Sequence, residues 1–333
     1  MRSFEYARPE TEAEAVAFLN TPEGNTVVLA GGTDLLNLLK QDVLPVRRVV
    51  DLKHIPTLKE VVAEQGGLKI GAMLTLHELA HHPLLRAYRG LHDVIEGVRA
   101  IQIQVSGTLG GDLCLHPNCW YYRNGYGLLA WQDGQSLVAA GDNRYHAIFG
   151  NQGPAKFVSA SRLAPFLIAW NARVRVVGPH PDQEEWLPLE FLYTIPRTTS
   201  QSHLLLKPGQ FITHVWLPEP QRGWVDATYE VLEIEGLDWP LTAAAACLQL
   251  EGGVVQQARI VLGHVAPIPW VASSAAHWLI QQRLTEETAS TAADLAVAAA
   301  TPLSHNEYKV SMTRAAVKRV LLKAANLGQG ASS

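Results

Sequence analysis

Residues 27–36 read VVLAGGTDLL. β-Branched residues from Thr26 to Val28 predict a strand, Gly31-Gly32 a tight turn, and the apolar period from Leu35 to Leu39 the start of a helix. Glycine in such a turn permits positive φ and lets backbone N–H groups come close to a ligand. A nest of these amides, aided by a helix N-terminus, favours phosphate oxygens. A second turn of the same kind, SGTLGGDL at 106–113, follows a strand-like run that begins at Ile101. Each turn has hydroxyl side chains nearby, Thr33 in the first and Ser106 and Thr108 in the second. Two such turns suit a ligand carrying two phosphates. Neither fits G-x-G-x-x-G or the P-loop, so a Rossmann or Walker site is not indicated.

On either side of these turns the chain alternates strand and helix. Thr11 to Leu19 reads as a short amphipathic helix and VRRVVDL, ending at Leu52, as a strand, so residues 1–56 form a β–α–β unit. LKEVVAEQGGLKIGAML, from Leu58, is a hairpin turning at Gly66-Gly67. Two helical stretches follow, separated at Pro83. Residues 115–153 are the least regular. Composition changes near Pro218 to Gly223. Beyond it lie three strand candidates, with Gly252-Gly253 turning the last two, and then Ala-rich helical stretches to Leu327. The expected units are 1–56, 57–218 with an irregular insertion at about 115–153, and 222–328.

The chain has 333 residues, of which 47% are hydrophobic and 17% charged, with 27 basic against 31 acidic side chains and a net charge of −4. At ~100–200 residues per domain, the length predicts two or three domains. The charge leaves no footprint for nucleic acid. The polar N-terminus lacks a secretory pattern, and no apolar stretch reaches the ~20 residues of a membrane span. Cys114, Cys119 and Cys247 are too few and scattered for a disulfide framework. These features read as cytoplasmic.

Other motifs have ordinary readings. His77-Glu78-Leu79-Ala80-His81 is a literal H-E-x-x-H, but Pro83 follows at once and Thr75 is a natural N-cap. That leaves about two helical turns and no third ligand, so a solvated, capped helix is expected. Cys114 and Cys119, with His116 and His146, have spacing that can begin a metal site, against a simpler reading of reduced thiols in a loop. Trp120, Tyr121, Tyr122, Tyr126 and Trp131 either stack on a cofactor or partner or form the core of a long loop. No nucleophile elbow or acid–base carboxylate pair is visible.

Taken in order, YARPETEAEAVAFL, VVLAGGTDLL, VVDL, LKIGAMLTLHEL, SGTLGGDL, LAPFLIAWNARV and ARIVLGHVAPIP resemble the FAD-binding medium subunit of the xanthine dehydrogenase, carbon monoxide dehydrogenase and 4-hydroxybenzoyl-CoA reductase family of molybdenum hydroxylases. The resemblance spans nearly the whole chain. It implies an α+β fold: a two-part FAD-binding domain of the vanillyl-alcohol-oxidase (PCMH) type, then a small α+β C-terminal domain. It also implies a site. Leu29, Ala30, Gly31, Gly32, Thr33, Asp34 and Leu35 would cradle the pyrophosphate, and Ser106, Gly107, Thr108, Gly110, Gly111 and Asp112 would form the opposite wall. Ile101 and Ile103 would be the flavin's apolar wall.

Several positions depart from the family pattern. Asp112 replaces an asparagine, Gln104-Val105 an Arg-Asn pair, and Val231 a C-terminal lysine. Arg162 stands where many members have an aspartate, placed to offset Asp112 or to pair with a phosphate. The loop 115–153 resembles the insertion that carries a [4Fe–4S] cluster in one branch. Cys119 is nearly all that remains of its ligands, so no [4Fe–4S] is expected. No metal site and no catalytic residue are expected in this chain. The implied role is electron transfer through FAD, from the [2Fe–2S] clusters of a small subunit to NAD+, oxygen or another acceptor. A large molybdopterin subunit would complete a dimer of heterotrimers. The alternatives are a scaffold subunit without flavin function and a stand-alone flavin reductase of the same fold.

Overall fold

The computed structural model describes residues 1–21, 25–234 and 238–326. The expected helical end at Leu327 lies outside the described residues. Strands β1 (Glu5–Ala7), β2 (Thr26–Leu29) and β3 (Arg48–Asp51) form a parallel sheet in the order β1-β3-β2. Helices α1 (Glu12–Leu19) and α2 (Leu35–Lys40) make its crossovers, as parallel pairing requires. Thr11 caps α1 by accepting from the Glu14 amide at 3.1 Å, and the helix buries Ala15, Val16 and Leu19 against Val50, Ile55 and Leu58.

The second unit is an antiparallel sheet in the order β4-β5-β10-β8-β9, built from β4 (Val61–Glu64), β5 (Gly67–Gly71), β8 (Arg173–Val177), β9 (Glu184–Pro188) and β10 (Phe211–Pro218). Between β5 and β8 run α3 (Leu76–His81), α4 (Arg89–Gly97), α5 (Ile101–Ser106), α6 (Leu109–Leu113), α7 (Trp120–Arg123), the small hairpin β6 (Trp131–Gln132) and β7 (Gln135–Ser136), α8 (Leu137–Ala140) and α9 (Leu163–Ala169). One sequence expectation is corrected here: Ile101–Ser106 is a helix, not a strand. The Ile-Gln alternation mimics a strand period, but the segment pairs with no strand and closes helical bonds on itself. Gln104 Nε2 donates to the carbonyls of Ile95 and Val98 that end α4, and the Gly107 amide returns to Ile103 at 2.7 Å.

The third unit pairs β11 (Trp224–Val231), β12 (Thr242–Glu251), β13 (Val254–Gly263) and β14 (Trp270–Val271) in sequence order, all antiparallel. Gly252 and Gly253 turn β12 into β13 with φ of 56° and 82°, the left-handed pair of a type I′ turn. Helices α10 (Ser273–Leu279), α11 (Glu286–Val297) and α12 (Tyr308–Ala324) cover one face. Strand β12 is buried on both faces. Ala245 and Cys247 enter the core built around α4 and α9, whereas Ala244, Ala246 and Leu248 enter the core beneath α11 and α12. The small side chains let a helix approach each face, which fixes the C-terminal unit against the second sheet.

Candidate functional site

The two glycine turns meet. A Cβ added at Gly31 would lie 1.8 Å from the Ser106 carbonyl oxygen, and one at Gly111 would lie 3.7 Å from Ala30 Cβ. The second turn is tied down from behind. Leu76 donates to the Gly107 carbonyl at 2.9 Å, and Gly110 donates to Ala72 at 2.8 Å. Thr108 Oγ1 accepts from the Gly111 amide at 3.1 Å. The amides of Gly31, Gly32, Thr33 and Thr108 donate to no acceptor among the described residues. A set of unpaired N–H groups at a junction of two backbones is what a diphosphate would satisfy.

A cavity opens on each side of this junction. The first, about 310 Å³, is walled by Leu76, Val98, Ile103, Asp112, Arg162 and Trp239. The second, also about 310 Å³, is walled by Leu19, Val28, His116, Lys207, Gln210 and Phe211. Thr33, Asp34, Thr108 and Leu115 line both. The result is two chambers with a polar waist, the outline of a dinucleotide.

The polar residues named from the sequence are placed as follows. Asp34 is held by the irregular loop: Arg123 donates to it at 2.6 Å and the His116 amide at 3.1 Å. Burial pushes its carboxyl up, but the bonds from His116 and Arg123 outweigh this and hold it below the usual carboxylate range. Asp112 faces the start of α9, where Ser161, the Leu163 amide at 3.0 Å and the Arg162 amide at 3.3 Å all donate to it. Burial raises its carboxyl against those bonds. Its donors are therefore Ser161 and two backbone amides, and the Arg162 guanidinium forms a bidentate pair with Glu230 on β11 instead. Ile101 is 70% exposed and lines neither chamber, whereas Ile103 and Val98 line the first. Sequence reasoning missed Arg123 and Trp239, which meet Thr33, Asp34 and Thr108 from distant parts of the chain.

The other motifs are structural. Glu78 closes a capping box with Thr75, accepting from its amide at 2.8 Å. Cys119 Sγ lies 3.1 Å from His146 Nε2, while His116 stacks on Tyr122 and Cys114 lines the second chamber. Thus the two cysteines and two histidines do not converge, and no group of three metal-ligating side chains occurs among the described residues. No helix among them is long and apolar enough to cross a membrane.

Comparison with known proteins decides the family. Residues 2–220 match the model of the FAD-binding domain in molybdopterin dehydrogenase, and residues 227–324 match the carbon monoxide dehydrogenase flavoprotein C-terminal domain. The chain belongs to this flavoprotein family. It is 27% identical over 327 residues to the aldehyde oxidoreductase FAD-binding subunit of Escherichia coli, covering 97% of this chain and 99% of that one. It is 26% identical over 327 residues to the carbon monoxide dehydrogenase medium chain of Hydrogenophaga pseudoflava, covering 96% of each. The fold matches a chain of the solved carbon monoxide dehydrogenase of that organism with a TM-score of 0.76, at 24% identity and 98% coverage of each chain. The fold also matches a chain of quinoline 2-oxidoreductase from Pseudomonas putida 86, with a TM-score of 0.75 at 24% identity and 98% coverage of each chain.

For this flavoprotein subunit the Asp34 clamp has a defined pH dependence. A carboxyl whose folded pKa is depressed stabilises above its unfolded value, about 4, and that contribution is lost as pH falls through the lower folded value. Asp34→Asn is therefore expected to be less stable than the parent at neutral pH. The gap should close below about pH 4 in thermal melts followed across pH, and a gap that stays constant would show that ionised Asp34 is not the clamp.

Proposed function

We propose that this chain is the flavin-bearing electron-transfer subunit of a multi-subunit molybdenum hydroxylase. The observation that carries the reading is the junction of the two glycine turns, with unpaired amides at the waist between two chambers. Leu29 to Leu35 and Ser106 to Gly111 hold the diphosphate. Asp112 anchors the second of these segments to α9, and Ile103 and Val98 wall the ring in the first chamber. When bound, FAD supplies the redox chemistry, accepting electrons singly from a partner's [2Fe–2S] clusters and releasing a pair to NAD+, oxygen or another acceptor. The chain's own residues bind, orient and exclude water, and no acid–base group is demanded of them.

The relatives are a medium chain of carbon monoxide dehydrogenase and an FAD-binding subunit of an aldehyde oxidoreductase, which supports a large molybdopterin subunit and a small [2Fe–2S] subunit as partners. We place the assembly, a dimer of heterotrimers, in the cytoplasm. The test is co-expression with those two partner types and purification of the complex. The expected result is one flavin per copy of this chain, bleached anaerobically by the complex's substrate. A complex without flavin would make the chain a scaffold, and turnover by the isolated chain would make it an independent reductase.

A further inference from the structure

The first glycine turn is gripped by a residue that stands outside both chambers. In the parallel sheet β3 lies between β1 and β2, with Tyr6 opposite Val49 and Leu29 opposite Asp51. That register sets the end of β3 beside the turn that begins at Ala30. Lys53, two residues past the strand, donates from Nζ to the Ala30 carbonyl at 3.3 Å. The same ammonium lies 2.9 Å from Asp51 Oδ1, and the Tyr6 hydroxyl on β1 donates to Asp51 Oδ2. A chain of polar contacts thus runs from β1 across β3 to the turn after β2.

Asp51 is only 2% exposed. Burial pushes its carboxyl up, but the bonds from Tyr6 and Lys53 outweigh this and hold it below the usual carboxylate range. It is therefore an ionised anchor, and it fixes a lysine whose own side chain is half-exposed. The Ala30–Gly31 peptide is trans, so its carbonyl and its N–H point to opposite sides. Fixing the carbonyl fixes the N–H. Gly31 needs such a hold, because glycine lets the peptide plane rotate more freely than any other residue. Its amide is one of those without an acceptor at the waist.

We propose that Lys53 is a positioning residue for the cofactor's diphosphate, its hold on the Ala30 carbonyl keeping the Gly31 N–H turned toward the bound anion. The inference rests on the flavoprotein reading above and adds to it a residue that lines neither chamber. Lys53 and Asp51 together are neutral, so their contribution is orientation and not net attraction for phosphate. Removing the lysine alone also strands the Asp51 charge near the turn, and a second variant separates the two effects.

The test uses the purified complex with its flavin removed, and FAD as the probe in equilibrium dialysis. Lys53→Met is expected to weaken FAD about tenfold, the worth of one hydrogen bond to a charged group. Lys53→Arg can bridge the same carboxylate and carbonyl, and it should recover most of the loss. Lys53→Met combined with Asp51→Asn removes the stranded charge and should stay as weak as Lys53→Met. Melting temperatures of the flavin-free samples identify a variant that has lost its fold, and the two single variants then decide, since a half-exposed side chain is replaced. Parent affinity in Lys53→Met, or no recovery in Lys53→Arg, overturns the proposal. So does parent affinity in a folded double variant, which would trace the loss to repulsion by Asp51. Each of these outcomes leaves the flavoprotein reading intact, whereas a parent complex that takes up no FAD overturns that reading instead.

Discussion

Gly31→Ala is expected to strip FAD from the purified subunit, lowering flavin per polypeptide at least tenfold. The added methyl would sit 1.8 Å from the Ser106 carbonyl oxygen, and that obstacle is backbone, which cannot rotate away as a side chain would. Relief requires the two turns to separate, and separation pulls Gly31, Gly32 and Thr33 away from Thr108, so their amides no longer converge on one anion. Overpacking of this kind costs ~1–3 kcal/mol in stability, occasionally more, but the effect on the ligand is larger because the cradle itself is deformed. Gly153→Ala is the control. A Cβ there meets nothing within 4 Å and φ is not positive, so flavin content should match the parent. Full flavin occupancy in the Gly31 variant would show that the junction does not hold the cofactor.

The second large effect concerns Arg162 and Glu230. Their side chains are 10% and 7% exposed, and they join the start of α9 to β11 across the edge of the first chamber. Arg162→Ala leaves a buried carboxylate without its cation, which costs about 3–5 kcal/mol. For a chain of this size that corresponds to a fall of roughly 4–7 °C in melting temperature. Burial already raises the Glu230 carboxyl even with Arg162 beside it. Without the arginine it takes up a proton in the folded state, and a raised folded pKa gives stability that is lost as pH climbs through it. The variant's deficit should therefore be larger at pH 8 than at pH 5. Combining Arg162→Met with Glu230→Leu should recover part of the loss, because no charge is then left stranded. Additive single and double effects in melting experiments would count against the pair acting as a unit.

What could be read along the chain was local. Paired glycines mark backbone that must turn or be approached closely, so both cradle turns and the Gly252-Gly253 hairpin are visible without a structure. Thr75 and Glu78 are spaced for a capping box and form one. The helix at Ile101–Ser106 was hidden because its alternating apolar pattern also fits a strand, and the deciding bonds come from Gln104 to the end of α4. The fates of Asp34 and Arg162 were hidden for another reason. Their partners lie 89 and 68 positions away, and side-chain pairing at that separation has no periodic signature. Asp112 shows the same thing at shorter range, since the carboxylate expected beside phosphate is occupied by the start of α9.

The first chamber borrows a wall from Trp239, which lies just before β12, while its floor comes from Thr33 near the other end of the chain. A polypeptide emerging from the ribosome thus exposes both glycine bends long before the enclosure is finished. The first chamber is complete only once Trp239 and the strands that follow it have been made and folded. Once captured, the ligand fastens early and late portions of the chain to one another. Free FAD at a hundred times its dissociation constant should add about 2.7 kcal/mol to the stability of the mature subunit.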